Sequence, residues 1–220
     1  MAFLTLVIGN KAYSSWSLRP WLALRHAGAV FDERVIPLRQ PETKPEILAH
    51  SAAGKVPVLH IDGATVWGGA TVWESLAICE AVAELYPAAG LWPDDPAARA
   101  LARAAATEMH GGFPEVRKAF PMDLKRSPAE RPVSEAAVSE IARLCALWGD
   151  LRGRFGLGGP FLFGRFTVAD AMYAPVCARF DTYRVPLDEV SLAYVRAVLA
   201  LPAMIEWRRS AQEEPWEIAY

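Results

Sequence analysis

The chain has 220 residues, 53% of them hydrophobic and 22% charged, with a formal net charge of -2. That length buries a sizeable core in one domain or two compact ones, and the near-neutral charge offers no basic field to nucleic acid. No stretch approaches the roughly 18 uninterrupted apolar residues of a membrane span, and the apolar start MAFLTLVIGN has no basic n-region and breaks too early, at Gly9 and Asn10, for a signal peptide. A cytoplasmic protein without a nucleic-acid or membrane partner is expected. The three cysteines, Cys79, Cys145 and Cys177, are far apart and sit among apolar residues. This suits buried thiols in a reducing compartment better than disulfides, and no metal site is expected.

In chain order, residues 3–8 form a short apolar run of strand formers, which predicts a buried strand. A helix follows, with Leu18, Trp21, Leu22 and Leu24 on its apolar face and Gly28 as its stop. Pro20 fits a first turn, so the helix is expected to begin close to Ser17. Residues 35–38 read as a second strand, 42–50 as a short helix, and KVPVLHID from Lys55 as a third strand. The tetrapeptide ATVW occurs at 64–67 and again at 70–73, across Gly68 and Gly69. The second copy abuts Glu74 and is expected to be the fourth strand, with the glycine pair turning a hairpin.

A helix over 74–85 ends at Tyr86 and Pro87, where YPAAGLWPDDP marks a linker. Beyond it every pattern is helical: 97–119 with a break at Gly111, Gly112 and Pro114, then 133–155, 168–180, 191–199 and 203–213. The expected division is an α/β domain over 1–86, a linker over 87–95 and an all-helical domain over 96–220.

Several residues carry chemistry beyond these elements. Ser14, Ser15 and Ser17 cluster where a helix needs one cap. Pro57 cannot donate to a ladder, so it marks a strand edge or turn, and a cis bond there would aim the backbone of Val56 outward. Ser75 at a helix start offers a hydroxyl and an N–H to a carboxylate, while Glu74 can accept from an ammonium group. Thr167 and Asp170 read as a capping pair that serves folding. His110, beside the glycine break, and Tyr13, Trp16, Phe113, Trp216 and Tyr220 are candidate walls of an apolar second-substrate pocket, each with core packing as its alternative.

The order of these motifs resembles the glutathione S-transferase superfamily over nearly the whole chain. SSWSLR at 14–19 is similar to the SSCSxR signature of the zeta class, GKVPVL at 54–59 to the strand opened by a cis-proline, WESLAI at 73–78 to the ESxAI helix start, and FTVADAMYAP at 166–175 to the capping motif of the C-terminal domain. Trp16 stands where the zeta class has cysteine. The resemblance implies a thioredoxin-like N-terminal domain, a helical-bundle C-terminal domain, a homodimer, and glutathione as co-substrate.

It also places the thiolate-stabilising hydroxyl at Ser14, with Ser15 next to it and Ser17 left to cap the helix. Val56 and Pro57 would meet the cysteinyl unit, and Glu74 and Ser75 the γ-glutamyl group. Lys55 would meet the glycyl carboxylate, with Lys44 as a weaker second. A free thiol has a pKa of about 8.5, so both a hydroxyl donor and the positive end of the first helix would help ionise it. The implied activity is a detoxification-type transfer of the thiol to a small apolar electrophile. A maleylacetoacetate-type isomerisation and a non-catalytic glutathione- or partner-binding role are the alternatives. Thiol-disulfide exchange needs a cysteine where Ser14 to Trp16 stand.

Overall fold

The structure, a computed structural model, describes residues 3–63 and 69–218. Strand β1 (Phe3–Gly9) puts Leu4, Leu6 and Ile8 on one face and Val7 on the other, so both faces of the sheet are covered. The sheet order is β2-β1-β3-β4: β2 (Asp32–Ile36) runs parallel to β1, β3 (Val58–Asp62) antiparallel to β1, and β4 (Ala70–Trp73) antiparallel to β3. The second ATVW copy is the fourth strand, as expected, and the first copy with Gly68 lies outside the described residues.

Two strands begin where the apolar pattern does not point. β2 starts at Asp32, three residues before the expected run, because an edge strand exposes its side chains and tolerates Asp-Glu-Arg. Glu33 there is tied down by Lys11 Nζ at 2.7 Å and by the Trp21 indole N–H at 2.7 Å. β3 starts at Val58, three residues after Lys55, since Pro57 has no N–H to give the ladder.

Helices α1 (Ser15–His26) and α3 (Ser75–Leu85) cover one face of the sheet, where Leu18, Trp21, Ile78 and Val82 join the main core. Helix α2 (Thr43–His50) covers the other, and its Ile47 meets Val7, Ile36 and Val58. The start of α1 differs from expectation. Ser14, not Ser17, is its N-cap, and Pro20 lies inside the helix, where its missing N–H leaves the Trp16 carbonyl without the usual helical donor. Ser17 is fully buried, and its Oγ accepts the Gly9 N–H at 3.1 Å, which pins the helix to the end of β1.

After α3 comes a 3₁₀ turn at Pro87–Ala89 and then helices α4 (Pro96–Gly111), α5 (Pro114–Ala119), α6 (Glu135–Phe155), α7 (Val168–Thr182), α8 (Glu189–Leu199) and α9 (Pro202–Glu213). Among the described residues all four strands precede Glu74, and the later part contains only isolated bridges at 161–165. The result is a thioredoxin-like α/β unit joined to a helical bundle. None of the helices is by itself long and apolar enough to cross a membrane.

Helix α7 is the centre of the bundle. Fourteen of its 15 residues are buried, so it is enclosed on every side, and α1, α4 and α8 pack against it. Asp170 fixes its start: the buried carboxylate accepts from the Thr167 N–H at 2.8 Å, the Thr167 hydroxyl at 2.9 Å and the Leu162 N–H at 3.1 Å. Burial pushes this carboxyl up to about 6 against the opposing effect of those donors. Cys79 and Cys177 are buried and free, and burial raises the Cys79 thiol to about 12, so it is a packing group rather than a nucleophile.

Candidate functional site

A cavity of about 600 Å³ opens where four segments converge: the first turn of α1, the loop before β3, the junction of β4 with α3, and the end of α4. Its size is that of a site for a small ligand. It brings together seven of the residues singled out in the sequence: Trp16, Lys55, Val56, Pro57, Glu74, Ser75 and His110.

The loop before β3 is held by local chemistry. Gly54 has φ +60, a left-handed conformation that favours glycine, and a Cβ there would push the Lys44 ammonium aside. That ammonium donates to the Gly54 carbonyl at 3.1 Å, which places Lys44 behind the loop, while Lys55 is exposed at the cavity. The Val56–Pro57 peptide bond is cis, the form that the family resemblance implies and that Pro57 by itself does not.

Opposite it stands the β4–α3 junction. Glu74 adopts φ 68 and ψ 127, a backbone conformation unusual for a residue with a side chain, and it makes no side-chain cap bond to α3. This turn aims its half-exposed carboxylate across the cavity to His110 Nε2 at 3.6 Å. Ser75 is 1% exposed and its Oγ has no hydrogen-bond partner among the described residues. A buried hydroxyl without a partner costs stability, and at a helix N-terminus that faces a cavity it is a ready donor for a polar group.

Trp16 forms the wall on the α1 side and is packed by cations. Arg19 Cζ stands 4.3 Å from its ring centroid and Arg117 Cζ 4.9 Å, while the His110 ring meets its edge at 5.2 Å. Arg117 is satisfied: its guanidinium donates to the carbonyls of Gly112, Met109 and His110 and so caps the end of α4. Burial lowers the His110 pKa, Arg19 and Arg117 lower it further, and Glu74 opposes them.

The other candidates lie off the cavity wall. Ser14 and Ser15 are 4% and 5% exposed and do not line it. Tyr13 is buried against the C-terminal segment, where burial and the carboxylates of Asp123, Glu217 and Glu214 raise its phenol above the usual value. Phe113 is core, in a left-handed conformation that starts α5. Trp216 lines a separate groove with Lys11 and Glu33, and Tyr220 lies outside the described residues. Trp73 lines the cavity at 52% exposure, and the sequence reading passed over it. An aromatic immediately before Glu74 was the available signal.

A mixed four-stranded sheet carrying a cis-proline loop, joined to a helical bundle across a polar-rimmed cavity, defines the class as a thioredoxin-like domain fused to an all-helical one. The chain belongs to the glutathione S-transferase superfamily: residues 13–85 match the glutathione S-transferase N-terminal domain and residues 131–210 the C-terminal domain. No curated protein sequence matches it significantly. Solved structures share the fold. A glutathione transferase homologue from Burkholderia with bound glutathione has a TM-score of 0.70 at 23% identity, covering 96% of this chain and 98% of its own. Glutathione transferase Omega 2S from Trametes versicolor, in complex with 2,4-dihydroxybenzophenone, has a TM-score of 0.64 at 26% identity, covering 98% and 91%. A Tau class enzyme from mango reaches a TM-score of 0.72 at 19% identity, covering 96% of each chain.

Proposed function

We propose that this protein binds glutathione in the cavity between Val56 and Ser75 and transfers its thiol to a small apolar electrophile. The observation that carries the reading is the orphaned Ser75 hydroxyl at the start of α3, across the cavity from the cis-proline loop. The γ-glutamyl carboxylate would accept from Ser75 and its helix N-terminus, and the ammonium group would donate to Glu74. Lys55 would meet the glycyl carboxylate as a point charge. Trp16 and Trp73, with Leu38 and Ile47, would face the apolar electrophile.

Ser14, two residues before the Trp16 wall and 4% exposed, is the proposed donor to a sulfur that would reach past that wall to the start of α1, with Ser15 its neighbour. The hydrogen-bond chain supports this. Ser17 Oγ accepts from the Gly9 N–H, the Ser14 and Ser17 hydroxyls stand 2.7 Å apart in a bond that either can donate, and Ser14 also accepts the Ser17 N–H at 3.4 Å. With Ser17 as the donor of that bond, Ser14 would keep its own hydroxyl proton for a ligand, and the chain would polarise it. The thiol would lose its proton to solvent, and the sulfur would form a carbon–sulfur bond as the electrophile's leaving group or π-electron pair departs.

Calorimetry with glutathione, followed by assay with a panel of electrophiles, tests the reading. Micromolar-to-millimolar binding with turnover is expected; the absence of binding overturns it, and binding without turnover replaces the transferase with a binding protein. The resemblance also supports a homodimer through α3 and α4, which a sedimentation result showing a monomer at micromolar concentration would overturn.

A further inference from the structure

Arg19 is a fully buried arginine in a place that gives its charge nothing to hold. Its relative exposure is 0%, and Nε, Nη1 and Nη2 all lack a hydrogen-bond partner among the described residues. A guanidinium presents five donors and stays protonated in proteins, so this is a standing cation, not a neutral group. The groups around it do not neutralise it. From α5 comes Arg117, from α7 Arg179 and Tyr173, from α3 Cys79, and from α4 His110. Two of these are cations and none is a carboxylate. Burial drives the pKa of Arg19 well below its usual value, and Arg117 and Arg179 add to that.

An unpaired buried charge is among the most costly features a core can contain. Evenly packed apolar side chains would serve α1 better if packing were all the position had to do. What Arg19 does have is proximity to the cavity. It stacks on Trp16 at 4.3 Å, and its field reaches His110; both residues line the cavity wall. An anion in the cavity would therefore feel an unscreened positive charge from behind the indole, through a region from which water is excluded.

We infer that Arg19 is an electrostatic positioning residue whose unneutralised charge, acting from behind Trp16, holds the sulfur of bound glutathione as the thiolate. This rests on the glutathione reading above and deepens it by assigning part of the ionisation to a residue that touches no ligand. Ser14 supplies a hydrogen bond that needs contact; Arg19 supplies a field that does not. A unit charge about 8 Å away at an effective dielectric near 20 shifts a thiol's ionisation by roughly one to two pH units.

The test compares wild type with Arg19→Met, Arg19→Gln and Arg19→Lys. Calorimetry measures glutathione binding, the ultraviolet absorbance of the bound thiolate is titrated with pH, and thermal unfolding is recorded without ligand. The expected result is an ionisation midpoint raised by about one to two units in the Met and Gln variants and near wild type in Lys. Unliganded Arg19→Met should unfold at the same temperature as wild type or a higher one, because it removes a charge that has no acceptor. A purely structural role predicts the reverse: lower stability with an unmoved midpoint. Midpoints in Met and Gln equal to wild type, with glutathione bound in all, overturn this inference and leave the glutathione reading intact. Failure of both neutral variants to fold also overturns it, since the charge would then be holding the core. Wild type that binds no glutathione overturns the broader reading, and the inference falls with it.

Discussion

Ser14 Oγ lies 2.7 Å from Ser17 Oγ, and the two hydroxyls divide three tasks between them. Ser14 caps α1, Ser17 ties α1 to Gly9 at the end of β1, and the bond between them leaves one proton unspent. Ser14→Ala is therefore expected to do two things. It should lower stability by about 1 kcal/mol through the lost cap, and it should cut turnover at neutral pH by about ten- to a hundredfold. Ser17→Ala strands the buried Gly9 N–H and should cost about 1 to 3 kcal/mol, with a smaller effect on the bound thiol. Chemical denaturation and a pH titration of bound thiolate absorbance separate the two; equal thiol midpoints in Ser14→Ala and wild type would remove Ser14 from the chemistry.

Ser75→Ala deletes a hydroxyl that has no partner in the unliganded protein. Its stability should stay within about 0.5 kcal/mol of wild type or rise. Its glutathione dissociation constant should increase by about ten- to a hundredfold, the worth of a hydrogen bond to a carboxylate. Calorimetry reads the second effect directly, and an unchanged affinity would place the γ-glutamyl group elsewhere.

Glu74 holds φ 68 at the cavity edge. Glu74→Gly removes the conformational cost and should stabilise the unliganded fold by about 1 kcal/mol, less the loss of the half-exposed pair with His110. Glutathione KM should rise severalfold in the same variant because the ammonium group loses its acceptor. A stabilised variant with unchanged KM would mean that the turn serves folding alone.

His26, His50 and His110 all have pKa values lowered chiefly by burial. A base whose pKa is lower folded than unfolded stabilises the fold above its unfolded value, near 6.5, and that stabilisation is lost as pH falls through the folded value. Stability should therefore decline as pH drops below about 6.5, with the Asp170 carboxyl, raised to about 6 by burial, working in the opposite direction as it takes up a proton. His110→Asn should flatten part of that decline, with Glu74 opposing the effect in wild type. Denaturation midpoints measured from pH 7.5 to 5.5 check it, and parallel curves for wild type and variant would exclude His110.

Glutathione S-transferase folds announce themselves at this sequence's punctuation. The proline-rich stretch after Tyr86, the apolar run of β1, the second ATVW copy before Glu74 and the Thr167–Asp170 pair were legible because each is a local signal: a breaker, a period of two, a cap. The cis bond at Pro57 was not legible in this way, because a proline opening a strand is ordinarily trans and only the family resemblance implies the cis form. The start of β2 at Asp32 carries no apolar signal because an edge strand needs no apolar pattern, only a neighbour's hydrogen bonds.

Which serine caps α1 depended on where β1 ends in space. Once the Gly9 N–H takes Ser17 Oγ, capping falls to Ser14, and no spacing along the chain encodes that exchange. Likewise, nothing near Arg19 in sequence reveals that its neighbours from α3, α4, α5 and α7 bring it no carboxylate. Residue types and their periods determined the elements and the likeness to a family. Pairing across distant segments decided which hydroxyls are spent, which are free and where an uncompensated charge sits, because desolvation and hydrogen-bond geometry are properties of the packed whole.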